Sequence, residues 1–262
     1  MSEEKQIILA VNVGNSRTQF ALYDVRAAGN VPEVTSMDNA DTAGIASRVA
    51  DLVLALADDE DTTLAICLAS VNDPVADILK EEIKTRCASE VLRAGADLPV
   101  PLKQDLEREA IVGVDRLLNA LAAYTVTEQA CIVVDAGTAV TVDYVDEAGV
   151  FRGGAILPGT QLMLDALAQR GALLPRLEYH RPDDQHTWGR NTAQAMIKGV
   201  HFGIRGAVRG LVERYSGEIG SYPKVIATGG NADDLFRNDE LVENIVPHLT
   251  LLGIALTCAS AS

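Results

Sequence analysis

One pattern, a strand followed by a glycine turn and a second strand, occurs twice in this chain and restricts its possible folds more than any other feature. It appears first in VNVGNSRTQF, after an apolar run, and again in CIVVDAGTAVTVDYVDEAG. At an offset of 123 residues the aligned pairs are Asn12 with Asp135, Gly14 with Gly137 and Thr18 with Thr141. The repeat predicts a duplicated α/β unit, two similar lobes with a cleft between them. The alternative is a chance similarity between two β-hairpins.

Length and charge narrow the class of protein. The 262 residues suffice for two lobes of ordinary size, which we expect at residues 1–125 and 126–262. The formal net charge is −15 without any run of Lys or Arg, so we expect no nucleic-acid partner. The start MSEEKQ is too acidic for a signal peptide and Ile7–Val13 is too short to cross a bilayer. We therefore expect a cytoplasmic protein without a membrane partner.

Cysteine usage agrees with a reducing compartment. The chain has four widely separated cysteines and no C-x-x-C pair: Cys67, Cys87, Cys131 and Cys258. This spacing is typical neither of a disulfide framework nor of a zinc site.

Periodicity and turn residues predict the order of the elements. Strands are expected at 6–12, 17–24, 62–70, 90–94, on both sides of the second glycine turn, in FRGGAILPG and in KVIATGG. Helices are expected at 42–57, from about residue 72, at 114–124, 159–170, 191–216 and 248–259. Residues 95–112 show no regular pattern.

No P-loop, dinucleotide fingerprint or other familiar nucleotide motif is present. A phosphate site would therefore have to come from the two glycine turns. Gly14 and Gly137 allow a sharp turn and a close approach of the backbone to a ligand. Neighbouring N–H groups, with Asn15, Ser16 and Thr138, can donate to phosphate oxygens. A third glycine turn, ATGGNADD, lies between a strand and a helix, where an adenosine can bind.

Two helix starts are further candidates. In GVDRLLNALAAY, Asp115 can act as a general base and Arg116 can bind an anionic group. The alternative is structural, because a negative charge in the first turn of a helix also interacts favourably with the helix dipole. In WGRNTAQAMIKG, Asn191 or Thr192 caps a long helix, and the Thr192 hydroxyl can meet a carboxylate or phosphate.

Taken in order, these segments resemble the type III pantothenate kinases of the acetate and sugar kinase/Hsp70/actin superfamily. The resemblance rests on VNVGNSRTQFALYD, GVDRLLNALAAY, the long segment from VVDAGTAV to RGALLP, WGRNTAQAMIKGVHFG and VIATGG, and it spans nearly the whole chain. It implies two duplicated actin-like (ribonuclease H-like) lobes with an ATP cleft between them. It also implies ATP-dependent phosphorylation of pantothenate, the first step of coenzyme A synthesis, by a homodimer that uses Mg²⁺ and a monovalent cation, K⁺ or NH₄⁺.

The resemblance also implies site residues. Asp115 would accept the proton, Asp135 would belong to the monovalent-cation site and Thr138 would contact ATP. The residues resembling the ATP-phosphate loop are Asn12, Val13, Gly14, Asn15, Ser16, Arg17, Thr18 and Gln19. Those resembling the substrate site are Gly113, Val114, Asp115, Arg116 and Thr192.

The chain departs from the family pattern at two places. Asn12 stands where the family usually has an aspartate implicated in handling Mg·ATP, and an amide oxygen carries no charge. Upstream of Gly113 the family often has a tyrosine and an asparagine-proline, whereas this chain has Leu106, Arg108 and Glu109. Besides a pantothenate kinase, we therefore consider a non-catalytic regulator that binds nucleotide or pantothenate, and a kinase for another small hydroxy acid.

Overall fold

The computed structural model describes residues 5–25, 32–57, 61–183 and 185–261. Strands and helices alternate through most of this part of the chain. Their order is β1 (Lys5–Val13), β2 (Arg17–Asp24), β3 (Thr35–Asp38), α1 (Thr42–Ala57), β4 (Thr62–Ser70), α2 (Asp73–Cys87), β5 (Val91–Arg93), β6 (Lys103–Gln104), α3 (Val114–Thr127), β7 (Cys131–Ala136), β8 (Ala139–Val145), β9 (Val150–Pro158), α4 (Thr160–Arg170), α5 (Thr192–Ile219), β10 (Lys224–Thr228), α6 (Ala232–Phe236), β11 (Asn244–Ile245) and α7 (Leu249–Ala259).

These elements form two compact units. Unit 1 comprises Met1–Leu102, Glu109–Ala122 and His248–Ser262, and unit 2 comprises Lys103–Arg108 and Ala123–Pro247. The last helix thus belongs to unit 1, although it follows all of unit 2 in sequence. The predicted division into lobes at 1–125 and 126–262 differs from these units in that respect and stays a prediction.

The sheet of unit 1 has the order β3-β2-β1-β4-β5, with β1 at its centre. Alternate residues of a strand point to opposite faces. Leu9 and Val11 pack in the cluster that includes residues of α1 and α2, whereas Ile8 and Ala10 pack in the cluster that includes residues of α3 and α7. Because helices cover both faces, β1 reads as a continuous apolar run instead of alternating with polar residues.

The sheet of unit 2 has the order β11-β10-β7-β8-β9-β6. Its core contains one stripe of α5, whose buried residues Val200, Ile204, Val208 and Val212 recur at helical spacing. Apart from β6, which pairs with β9, this order matches that of unit 1 strand for strand. In each unit the hairpin partner of the central strand is antiparallel and the crossover partner is parallel. The predicted duplication of an α/β unit is confirmed.

The register of the two hairpins corrects the proposed alignment by one residue. Asn12 pairs with Gln19, whereas Asp135 pairs with Thr141. With Asn12 matched to Asp135, the counterpart of Thr141 is therefore Gln19, and the predicted match with Thr18 is wrong. The first turn is one residue longer: Gly14 N–H donates to the oxygen of Arg17, but Gly137 N–H donates to that of Ala139.

The remaining predicted elements lie close to their expected positions. The structure adds short strands that no pattern indicated, namely β3, β6 and β11. Among the residues described, no helix has both the length and the apolar character required to cross a bilayer.

Candidate active site

The predicted site residues of unit 1 lie at one edge of its sheet. Strands β1, β4 and β5 are parallel, so their carboxyl ends meet at the same edge. The Gly14 turn follows β1 there, α2 begins just after β4, and the turn after β5 packs on the start of α3. A Cβ on Gly95 of that last turn would lie 2.8 Å from Cγ2 of Val114. Since β1 and β5 are two strands apart, these features are separated laterally by about 10 Å.

The Gly14 turn exposes the residues expected to meet phosphate. Asn15 and Ser16 are exposed, and Asn12 is half-buried at the end of β1. A Cβ on Gly14 would lie 3.1 Å from the carbonyl oxygen of Arg17, which is close for any side chain. The turn is therefore tight, and glycine is well suited to its first position.

Three other residues expected in the loop are directed to the protein. Val13 is buried in the core of unit 1. The Arg17 guanidinium donates to Oγ and to the carbonyl oxygen of Ser36, at 2.9 and 3.0 Å. Thr18 is fully buried, and its hydroxyl donates to Oδ1 of Asn39 at 2.8 Å. Gln19, half-buried, lies opposite Asn12 across the hairpin.

Sequence reasoning missed Asn39, which lies between β3 and α1. Its side-chain amide donates to the carbonyl oxygens of Gly14 and Asn15, at 2.8 and 3.1 Å. Asn72, at the start of α2, also donates to the oxygen of Asn15, at 3.1 Å. No local pattern could have identified Asn39, because its partners lie more than 20 residues upstream.

Asp115 lies in the first turn of α3 and is half-buried. Its Oδ1 accepts from the backbone N–H of Arg116 at 2.9 Å, and the same N–H reaches the oxygen of Gly113 at 3.1 Å. A Cβ on Gly113 would lie 2.5 Å from Oδ1 of Asp115, so a glycine is needed there to leave room for the carboxylate. One oxygen of Asp115 thus caps the helix in the limited sense that it accepts from an N–H of the first turn, and the carboxylate has a second oxygen for other chemistry.

The turn after β5, which supports the start of α3, is closed by Asp97. Its carboxylate accepts from the backbone N–H of Arg93 at 2.8 Å and from Lys80 at 3.3 Å. The Arg93 N–H, followed by the Lys80 contact, holds the pKa of Asp97 below its ordinary value, although partial burial opposes this.

Three turns of unit 2 converge on the end of β7. They are the turn of Gly137 and Thr138, the β9–α4 junction at Gly159, and the β10–α6 turn that contains Asn231. Gly159 N–H donates to the oxygen of Thr138, and Asn231 N–H to that of Ala136, both at 2.9 Å. The Thr160 hydroxyl donates to Oδ1 of Asn231 at 3.2 Å.

Glycines bring these backbones close together. A Cβ on Gly159 would lie 2.3 Å from the oxygen of Gly137. A Cβ on Gly229 would lie 2.4 Å from Oδ1 of Asp135, and Gly229 has a φ of +94°, which L side chains rarely adopt. The glycines thus let these turns pack directly against one another at the end of β7, beside the Asp135 carboxylate.

Thr192 is the exposed first residue of α5. Asn191 caps this helix, because its Oδ1 accepts from Gln194 N–H at 2.9 Å, so the predicted cap is confirmed at Asn191. The buried ammonium of Lys198 donates to the carbonyl oxygens of Asp183 and His186, at 2.7 and 2.5 Å. It thereby fixes the segment that leads into the helix.

Comparison with known proteins decides the family. The model of the type III pantothenate kinases matches residues 8–214. This chain belongs to the type III pantothenate kinase family. The matched range includes the candidate residues from Asn12 to Thr192, whereas the turn of Gly229 and Asn231 lies beyond it.

Curated type III pantothenate kinases resemble the chain over nearly its full length. The protein from Dehalococcoides mccartyi strain CBDB1 is 32% identical over 255 residues, covering 94% of this chain and 93% of that protein. The protein from Anaeromyxobacter sp. strain Fw109-5 is 34% identical over 253 residues, covering 95% and 98%.

Solved structures agree on the fold. A conserved Baf family protein from Campylobacter jejuni is 19% identical, with a TM-score of 0.59 over 97% of this chain and 98% of that chain. The activator of 2-hydroxyisocaproyl-CoA dehydratase from Clostridium difficile, solved with bound ADPNP, is 13% identical, with a TM-score of 0.51 over 97% and 95%. At such identities the likeness concerns the fold alone. The predicted actin-like α/β fold class of this type III pantothenate kinase is confirmed.

The predicted metal sites remain predictions. Within the described ranges, no three His, Cys, Asp or Glu side chains are grouped so that they could hold a metal ion by themselves. This does not conflict with a magnesium nucleotide, because Mg²⁺ is commonly bound through one or two carboxylates together with the substrate phosphates.

Proposed function

We propose that this type III pantothenate kinase transfers the γ-phosphoryl group of ATP to the terminal hydroxyl of pantothenate, the first step of coenzyme A biosynthesis. The observation that carries the proposal is the family match over residues 8–214, which contains both glycine turns, Asp115 and Thr192. Curated relatives that align with almost the whole chain bear the same family name.

For ATP, the proposed phosphate contacts are those that the family resemblance implies: the backbone N–H groups of Asn15 and Ser16 in the Gly14 turn, and the Gly137 turn with Thr138. The close packing of the turns at Gly159 and Gly229 supports a Gly137 turn that is held in place before a phosphate binds. Positioning of the phosphates and neutralisation of their charge would account for most of the catalysis.

For pantothenate, the start of α3 would supply the chemistry. The Asp115 oxygen that does not cap the helix would accept the proton of the attacking hydroxyl. Arg116 would bind the substrate carboxylate, for which a planar guanidinium is well suited. Thr192, exposed at the first turn of α5, would donate to another substrate oxygen.

The cations belong to the proposal as well. Mg²⁺ would bind mainly through the ATP phosphates and neutralise charge as the phosphoryl group transfers. Asn12 would reach its bound water through an amide oxygen, and Asp135 would help to hold a monovalent cation, K⁺ or NH₄⁺. The support for Asp135 is the place of its carboxylate at the end of β7, beside the turn of Gly229.

We also propose that the kinase is a homodimer and acts in the cytoplasm. The dimer is supported by a row of exposed glycines on the 28-residue helix α5. A Cβ added at any of them would have no other atom within 4 Å: Gly199, Gly203, Gly206 and Gly210. Rows of small residues permit close approach of another helix. Unbridged thiols at Cys67, Cys87, Cys131 and Cys258 agree with a reducing compartment.

The test is an assay of purified protein with ATP, Mg²⁺ and pantothenate, with and without K⁺, in which phosphopantothenate is detected directly. Parallel reactions with other small hydroxy acids serve as substrate controls. We expect pantothenate to be phosphorylated at the highest rate and K⁺ to raise that rate. Binding of ATP without phosphorylation of pantothenate would contradict the proposal, and phosphorylation of another hydroxy acid would identify a different substrate.

A further inference from the structure

Asn39 contacts nearly the whole of the Gly14 turn from a separate part of the chain. Its side-chain nitrogen donates to the oxygens of Gly14 and Asn15, at 2.8 and 3.1 Å. Its backbone N–H donates to the oxygen of Ser16 at 2.9 Å. Its Oδ1 accepts from the hydroxyl of Thr18 at 2.8 Å. A single residue therefore binds three consecutive carbonyl groups of the turn and the second residue of its return strand β2.

The chemistry of these partners defines the orientation of the amide. Carbonyl oxygens can only accept hydrogen bonds, so the nitrogen of Asn39 has to face Gly14 and Asn15. The oxygen then faces Thr18, whose hydroxyl has to donate. Thr18 is fully buried, and water cannot readily replace it in this role. The Thr18 hydroxyl thus selects the orientation in which Asn39 can bind the turn.

This arrangement determines which polar groups the turn presents to a ligand. With the carbonyl groups of Gly14, Asn15 and Ser16 bound on the protein side, an anion that approaches the turn meets backbone N–H groups. Successive N–H groups of this kind form an anion-binding concavity, whereas carbonyl oxygens would repel phosphate. A turn held in advance also loses less conformational freedom when the ligand binds.

We propose that Asn39, oriented by Thr18, is a positioning residue for the ATP phosphates. The proposal rests on the proposed function in that it takes the Gly14 turn as a phosphate site. Asn39 acts through the turn and not by touching the nucleotide. Loss of its contacts weakens the binding of the phosphate chain and leaves the binding of adenosine and of pantothenate unchanged.

The sharpest test changes Thr18 and leaves Asn39 in place. Thr18→Val is nearly isosteric and removes the hydroxyl, whereas Thr18→Ser retains it. A matched control exists in the same unit: the hydroxyl of Thr250 also donates to an asparagine Oδ1, that of Asn119, at 2.8 Å. Thr250→Val removes an equivalent buried hydrogen bond away from the turn. Asn39→Ala is the second variant at the turn.

The readouts are the dissociation constants of a non-hydrolysable ATP analogue and of adenosine, the KM values for ATP and pantothenate, and the melting temperature. We expect Thr18→Val, which removes the Thr18–Asn39 bond, to weaken binding of the ATP analogue about tenfold. Asn39→Ala removes that bond and both side-chain bonds to the turn, and should weaken binding about tenfold to a hundredfold. Adenosine binding and KM for pantothenate should not change. Thr18→Ser should restore ATP binding, and Thr250→Val should lower only the melting temperature.

The outcomes distinguish failure of the positioning role of Asn39 from failure of the proposed kinase function. If both turn variants bind the ATP analogue as tightly as the unaltered protein, Asn39 does not position the phosphates, whatever substrate is phosphorylated. If adenosine binding weakens as much as ATP binding, the effect is general and the proposal is likewise wrong. If ATP binding weakens as expected but the unaltered protein does not phosphorylate pantothenate, the positioning role stands and the proposed function fails.

Discussion

Replacing Asp115 by Asn removes a base and retains the oxygen that caps helix α3. In the structure, Oδ1 of Asp115 accepts from Arg116 N–H at 2.9 Å, a bond that an asparagine oxygen can also make. Asn has nearly the same shape, so the limited space beside Gly113 is respected. The substitution thus isolates the chemical role of the carboxylate from its structural role.

The size of the effect follows from these two roles. A lost general base lowers turnover by about 10²–10⁴-fold. The cap is preserved, so the melting temperature should stay the same. Asp115→Ala provides the comparison, because it removes base and cap together. It should lower turnover similarly and, through the lost hydrogen bond to Arg116, also cost about 1 kcal/mol of stability, roughly 2–4 °C in melting temperature.

The assay combines initial rates of pantothenate phosphorylation, binding of an ATP analogue and thermal unfolding for the three proteins. We expect both variants to bind the ATP analogue normally. If Asp115→Asn retains more than about a third of the turnover, Asp115 serves only as a helix cap. If it melts well below the unaltered protein, the carboxylate charge stabilises the fold and the loss of turnover cannot be assigned to a missing base.

Four further predictions concern other parts of the chain. Asn12→Asp should raise kcat at least about tenfold in a magnesium titration, because a charged group at developing charge is worth about 2.7–4 kcal/mol; no gain would mean that another group handles the metal. Gly229→Ala should weaken ATP binding and lower the melting temperature, whereas Gly230→Ala, with nothing within 4 Å of its Cβ, should do neither in the same assays. Because the pKa of Asp97 is lowered in the folded protein, its contribution to stability is present at neutral pH and is lost as pH falls below about 4. In acid unfolding curves, Asp97→Asn should therefore reduce the fall in the free energy of unfolding over that range. Sedimentation at micromolar concentration should give about twice the 27.9 kDa of one chain, and a mass near 27.9 kDa would rule out the dimer.

Much of the fold could be predicted from local patterns. The apolar run before Gly14 lies on the central strand β1, where helices cover both faces, and such burial leaves a clear signal in sequence. The helix at 42–57 was predicted at the bounds observed for α1. Short edge strands such as β3 and β11 were not predicted, because four residues or fewer contain too little periodicity and depend on a neighbour for pairing.

The candidate site was predictable only in part, for a related reason. Gly14, Gly137 and Asp115 are visible in sequence because a tight turn or a helix start requires particular residue types locally. The role of Asn39 was not visible in the sequence, since its partners are remote along the chain. Nor was the need for Gly229, which arises from the approach of Asp135, nearly a hundred residues earlier.

The sequence by itself determined the order of the elements, the duplication and the family, because each depends on patterns within short segments or on their succession. Only the tertiary structure decided the register of the two hairpins, where a turn longer by one residue places Gln19, and not Thr18, opposite Asn12. It also decided that Thr18 is buried against Asn39 and that α7 completes unit 1. Such features depend on hydrogen bonds and packing between distant segments, which form only when the chain has folded.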